Sequence, residues 1–181
     1  FDLTDALWKP AFRRAGWGGL EEILRTVDAV FSENEAICAF GRGFNQNVFG
    51  IPACTQVELF DRLRGSVPPR GNGGVVVGWI GSPSTVGALE KVRGALENLS
   101  ARHPGLRLRV VGCGDVERIP RFRNVRWTAL SDYDEETMVR EALSMDIGIF
   151  PAPSDSEDYA IRGALKGMIY MTAGIAETNR A

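Results

Sequence analysis

The sequence predicts an α/β fold: a doubly wound parallel sheet with helices on both faces. Two observations carry this expectation. From residue 75 onward, strand-like and helix-like stretches follow in the order strand, helix, strand, strand, helix, strand, helix, and strands joined through helices form parallel sheets. The first and last strands, VVVGWI at 75–80 and DIGIF at 146–150, are nearly unbroken apolar runs, the pattern of strands covered on both sides.

The elements follow in chain order. Residues 1–16 begin as if in mid-strand. Leu20, Ile23, Leu24 and Val27 recur at helical spacing across 19–29. Residues 29–31 read as a short buried strand. Ser32 is expected to cap the next helix, with Glu35 three residues on completing a capping box. Residues 47–51 form another short strand, ended by Pro52. The stretch RGSVPPRGNGG at 64–74 reads as a linker. This divides the chain into 1–63, a linker at 64–74, and a second domain at 75–181. In the second domain the strands are predicted at 75–80, 107–111, 125–127 and 146–150, and the helices at 85–102, 134–144 and 162–173.

Bulk properties exclude several classes. The 181 residues carry a net charge of −2, with 44% apolar and 24% charged residues. That is ordinary globular composition with no electrostatic footprint for nucleic acid. No stretch approaches 18 apolar residues, so no membrane-spanning helix is expected. Cys38, Cys54 and Cys113 are odd in number and widely spaced, so they are expected to be reduced, buried and cytosolic. Phe1 is not an initiator methionine, and the chain is expected to be a piece of a longer or processed protein.

Candidate chemistry lies where open parallel sheets bind ligands, just beyond the carboxyl ends of the strands. Gly81-Ser82-Pro83-Ser84-Thr85 follows the first strand. Gly81 allows a tight turn and close approach, Pro83 stiffens it, and Ser84 or Thr85 would cap a helix whose free N–H groups suit an anion. The same residues also suit an ordinary capped turn. Gly112-Cys113-Gly114 follows the second strand. After the fourth comes PAPSDSED at 151–158, leading to Arg162 and Lys166, which share a helix face. Two cations at a helix N-terminus oppose its dipole unless an anion sits there. The acidic Glu157 and Asp158 would otherwise neutralise them. The basic stretch RIPRFRNVR at 118–126 reads as a solvated loop, with contact to anionic lipid as the alternative.

Several chemistries lack their residues. His103 is the only histidine, placed at the opposite end of the sheet, so neither a zinc site nor a Ser-His-Asp triad can be assembled. No GxGxxG follows the first strand and no acidic residue ends the second, which argues against a dinucleotide site. Asp115 alone does not make the aspartate cluster of a receiver-like domain.

Taken together, GWIGSPST, LRLRVVGCG, DIGIFPAPSD and RGALKGMIYMTAG resemble the C-terminal, donor-binding, Rossmann-like half of family-4 glycosyltransferases of the GT-B fold. FDLTDALW, VDAVFSENEAICAF and NVFGIPACTQVELF resemble the end of the N-terminal, acceptor-side half. The likeness implies a Rossmann-like domain incomplete at both ends, in a retaining transferase that takes a sugar from a nucleotide-diphosphate donor. It implies no cofactor and no essential metal. The acceptor would be a glycan, lipid or small molecule. The setting would be cytoplasmic, with the parent protein either free or peripheral at a membrane, and the incomplete piece would self-associate and be inactive alone. By the same likeness Gly81, Ser82, Ser84 and Thr85 would face the diphosphate, together with Arg162 and Lys166. Gly112, Cys113 and Gly114 would lie near base and ribose. Ile161 and Ile169 stand where the family often has glutamates, so Glu157 and Asp158 become the candidates for sugar contact. Gly174-Ile175 runs into AETNRA, so the family's last strand is expected to be missing. A nucleotide-binding module without transferase activity is the alternative.

Overall fold

The computed structural model describes residues 1–9, 16, 18–68, 73–151 and 165–178. They divide into two units that meet in sequence at Cys54 and Thr55.

In the first unit, α1 (Leu20–Thr26) buries Leu20 and Leu24, as the helical spacing predicts. Strands β1 (Val30–Ser32) and β2 (Val48–Gly50) pair in parallel, joined by α2 (Glu35–Arg42). The opening residues extend this pairing: Phe31 donates its N–H to the Phe1 carbonyl, and Leu3 donates to the carbonyl of Phe31. Val30, Ile37, Leu3, Leu20 and Leu24 form the buried cluster. On the sheet, Phe31 and Phe49 are register partners, stack with centroids 5.7 Å apart, and are 38% and 51% exposed. The helix cap differs from expectation. Ser32 is the last strand residue, and Asn34 is the N-cap, its side chain accepting from the Ala36 N–H at 2.8 Å. Glu35 pairs with Arg42 rather than closing a capping box. Asn and Ser cap comparably well, so strand pairing of Ser32 through Ile51 decides between them.

The second unit opens with α3 (Val57–Arg64), an unexpected helix in a stretch assigned from sequence to the first domain, 1–63, and it buries Leu59, Phe60 and Leu63. Its sheet has five strands: β3 (Val76–Ile80), β4 (Arg107–Val111), β5 (Arg126–Leu130), β6 (Ile147–Ile149) and β7 (Ala176–Thr178). All neighbouring strands are parallel, in the order β5-β4-β3-β6-β7. Strand alternation splits the core in two. Val77, Trp79, Leu108 and Val110 face a cluster with Val86, Leu89 and Leu96. Leu89 lies in a 3₁₀ helix (Val86–Val92) and Leu96 in α4 (Arg93–Arg102). Ile80 and Val111 join the other cluster, with α3, α5 (Glu135–Leu143) and α6 (Leu165–Ala173). Both faces are therefore covered, and the fold is the expected Rossmann-like doubly wound α/β sheet.

Three further expectations are corrected. The helix expected over 85–102 is two pieces, the 3₁₀ segment and α4. AETNRA does supply a strand, since β7 pairs with β6 through Ile147, Gly148 and Ile149. Cys54 is exposed, whereas Cys38 and Cys113 are buried as expected. His103 ends α4 just before the amino end of β4, away from the strand carboxyl ends.

Candidate functional site

Strand order fixes where a crevice can form. From β3 the sheet grows to β4 and β5 on one side, then reverses to β6 and β7 on the other. Such a reversal leaves an opening beyond the carboxyl ends of the two strands that flank it, here β3 and β6.

Side chains hold the two strands at this point. Their ladder registers only Val77 with Ile147 and Gly78 with Gly148. At the amino end the Asp146 carboxylate accepts from the Val76 N–H at 2.8 Å. At the carboxyl end the Tyr170 hydroxyl, from α6, accepts from the Ile80 N–H at 3.0 Å and meets the Ile149 carbonyl at 3.3 Å. A phenol thus stands where a backbone pair would otherwise close the sheet. Its ring lies on Gly148, whose missing side chain leaves the room: a Cβ there would sit 2.5 Å from the ring.

The loop after β3 has its expected residues in place, but its glycine serves the protein interior. A Cβ on Gly81 would fall on the indole of Trp79, which is wholly buried with its Nε1 unpaired among the described residues. Ser82 and Ser84 hydroxyls lie 3.0 Å apart, and Thr85 Oγ1 lies 3.3 Å from Ser82 Oγ and donates to the Ser82 carbonyl. Thr85 occupies the N-cap position without capping through its side chain. The expected helix-dipole anion site is therefore replaced by a cluster of three hydroxyls ahead of a short 3₁₀ helix. Ser82 and Ser84 are exposed, so these hydroxyls are open to a polar ligand.

The Gly112–Gly114 turn packs against this loop. Gly112 has φ of +81° and Gly114 +67°. A Cβ on Gly112 would strike the Gly81 carbonyl oxygen and the Tyr133 ring; one on Gly114 would sit 2.7 Å from Pro83 Cγ. Cys113 is buried, its thiol directed at the Leu130 and Gly114 carbonyls. It is a packing residue rather than an accessible ligand contact. Tyr133, which the sequence reading passed over, closes the space between the two turns. Its hydroxyl donates to the Gly81 carbonyl at 3.2 Å, and burial pushes its pKa up. Inspecting the loop after every strand, including SDYD after β5, would have found it.

Lys166 lies in the first turn of α6, on the β6 side of the reversal. It is partly buried, has no ion pair or hydrogen bond among the described residues, and burial lowers its pKa. Arg162, Glu157, Asp158 and Ile161 lie outside the described residues. Ile169 is buried in the core beside Leu59, Phe60 and Tyr170, so a glutamate there would need a buried charge without an evident partner. The described residues contain no group of three or more His, Cys, Asp or Glu placed to hold a metal ion. Hollows lined by described residues also lie elsewhere. One of about 380 Å³ in the first unit involves Asp2, Phe31, Glu33 and Ile51. One of about 450 Å³ in the second involves Glu58, Arg62, Glu135 and Glu136.

No protein-family model matches the chain, and no curated protein matches it significantly.

Proposed function

We propose that the second unit is the donor-binding part of a retaining, family-4-like glycosyltransferase that takes a nucleotide-diphosphate sugar. The observation that carries the reading is the chemistry flanking the sheet reversal. The Ser82, Ser84 and Thr85 hydroxyls follow β3, and Lys166, partly desolvated and without an anionic partner among the described residues, follows β6. A lysine held out of water without a counter-ion raises the energy of the free chain, and an incoming diphosphate would supply the missing charge. In the transfer reaction the departing nucleotide gains negative charge, which a fixed cation and hydroxyl donors stabilise. The glycan, lipid or small-molecule acceptor belongs to the same proposal, as does the absence of an essential metal.

The test is a thermal-shift panel of UDP, GDP, ADP, their sugar conjugates and, as a control, NAD. At about 100 times its dissociation constant a ligand adds roughly 2.7 kcal/mol, which raises the midpoint by about 2–4 °C per kcal/mol in a chain of this size. A rise with one nucleoside diphosphate and none with NAD is the expected result. Lys166→Ala is expected to weaken that nucleoside diphosphate about 10- to 100-fold, the scale of one charged hydrogen bond, and to leave the nucleoside unchanged. Equal losses for both would sink the phosphate role.

A second reading, a nucleotide-binding module that transfers nothing, is favoured by one observation: the core position of Ile169. Nucleotide binding with no sugar transfer by the longest natural form of the protein would select it.

A further inference from the structure

We infer that Tyr133 is a displaceable stopper in the crook between β3 and β4, and that the nucleoside end of the ligand takes its place by donating a hydrogen bond to the Gly81 carbonyl. This rests on the nucleotide reading above and adds to it which end of the ligand enters there and what that end must carry. The geometry supplies the reasons. The Tyr133 ring lies against Gly112, in the volume a side chain there would fill. Gly81 is a buried residue, and its carbonyl is engaged by the Tyr133 hydroxyl alone among the described residues. Cys113 is buried with its thiol directed at two carbonyls, so Tyr133, half-exposed and borne on a loop, is the wall that can move.

Displacement has a selective consequence. A buried carbonyl stripped of its donor is costly, so a ligand that pushes the phenol aside must bring a donor of its own. A ribose hydroxyl or a base amine does this, whereas a bare diphosphate does not. Tyr133 therefore discriminates nucleosides from inorganic phosphates without contacting a phosphate.

Tyr133→Phe keeps the ring and removes the hydrogen bond that holds it. Its free state is weakened while the bound state, in which the ligand serves Gly81, is not. The variant is expected to bind the preferred nucleoside diphosphate about fivefold more tightly, the equivalent of one hydrogen bond's net worth, with pyrophosphate binding unchanged. In the wild-type chain, tetranitromethane nitration of Tyr133, located by peptide mass analysis, should speed up when the nucleoside diphosphate is added. Equal or weaker binding by Tyr133→Phe, or protection of Tyr133 from nitration by the ligand, would overturn the stopper and leave the nucleotide reading standing. If UDP, GDP and ADP all fail to change melting or nitration in either protein, the nucleotide reading fails and the stopper falls with it.

Discussion

Replacing Tyr170 with alanine is expected to lower the stability of the second unit by about 3–5 kcal/mol, the usual cost of removing a large buried aromatic side chain. Tyr170 is wholly buried. Its ring covers Gly148 and its hydroxyl bridges Ile80 and Ile149. Tyr170→Phe separates the two contributions. It preserves the ring but strands the Ile80 N–H inside the protein, at about 1–3 kcal/mol. Urea unfolding followed by tryptophan emission reads both, because Trp79 lies on β3 in the same unit. A phenylalanine variant as stable as wild type would show that β3 and β6 re-pair without the phenol, and that the parting of the strands at the reversal is not held by Tyr170.

Gly112→Ala is expected to cost about 2–5 kcal/mol, combining the left-handed backbone penalty of a non-glycine residue with overpacking in a filled space. The backbone there is at φ +81°, and the added carbon would meet the Gly81 carbonyl oxygen, which cannot step aside as a flexible side chain can. Gly87 is the control: it is exposed, and a Cβ there meets nothing within 4 Å. Gly87→Ala should leave the stability within about 0.5 kcal/mol of wild type, as surface substitutions do. If Gly112→Ala behaved like Gly87→Ala, the two turns would not be packed as described, and Tyr133 would have no wall to close against.

The strands of the second unit were legible in the sequence because burial on both faces demands apolar runs, and VVVGWI and DIGIF met that demand through to their pairing. The turns were legible in position but not in purpose. Gly81 and Gly112 signal close approach, yet sequence cannot say to what. Here the neighbours are Trp79, Tyr133 and the other turn, so the approach is internal. The 3₁₀ segment was illegible because Val86, Leu89 and Val92 fit either helical form over so short a span. The α3 helix was missed since its apolar positions, Leu59, Phe60 and Leu63, lie between an irregular stretch and the Gly-Pro run that looked like a linker. Strand β7 was missed because three residues, AET, carry almost no strand signal. Its place comes from pairing with β6, a long-range property.

The stacked pair Phe31 and Phe49 bears on how the chain opens. Parallel sheets are ordinarily covered on both faces, and the two strands of the first unit leave this pair open to solvent. Only five residues form the buried cluster beneath them among the described residues, against thirteen and twelve in the two clusters of the second unit. Native-state hydrogen exchange should therefore resolve two tiers of protection. The Val30 and Phe31 amides would exchange through a local opening of low free energy, while the amides of β3 and β4 would exchange only with global unfolding. The first unit is then the earliest part of the chain to yield to a protease. A clip there that spares the second unit would mark where the fold's cooperativity ends.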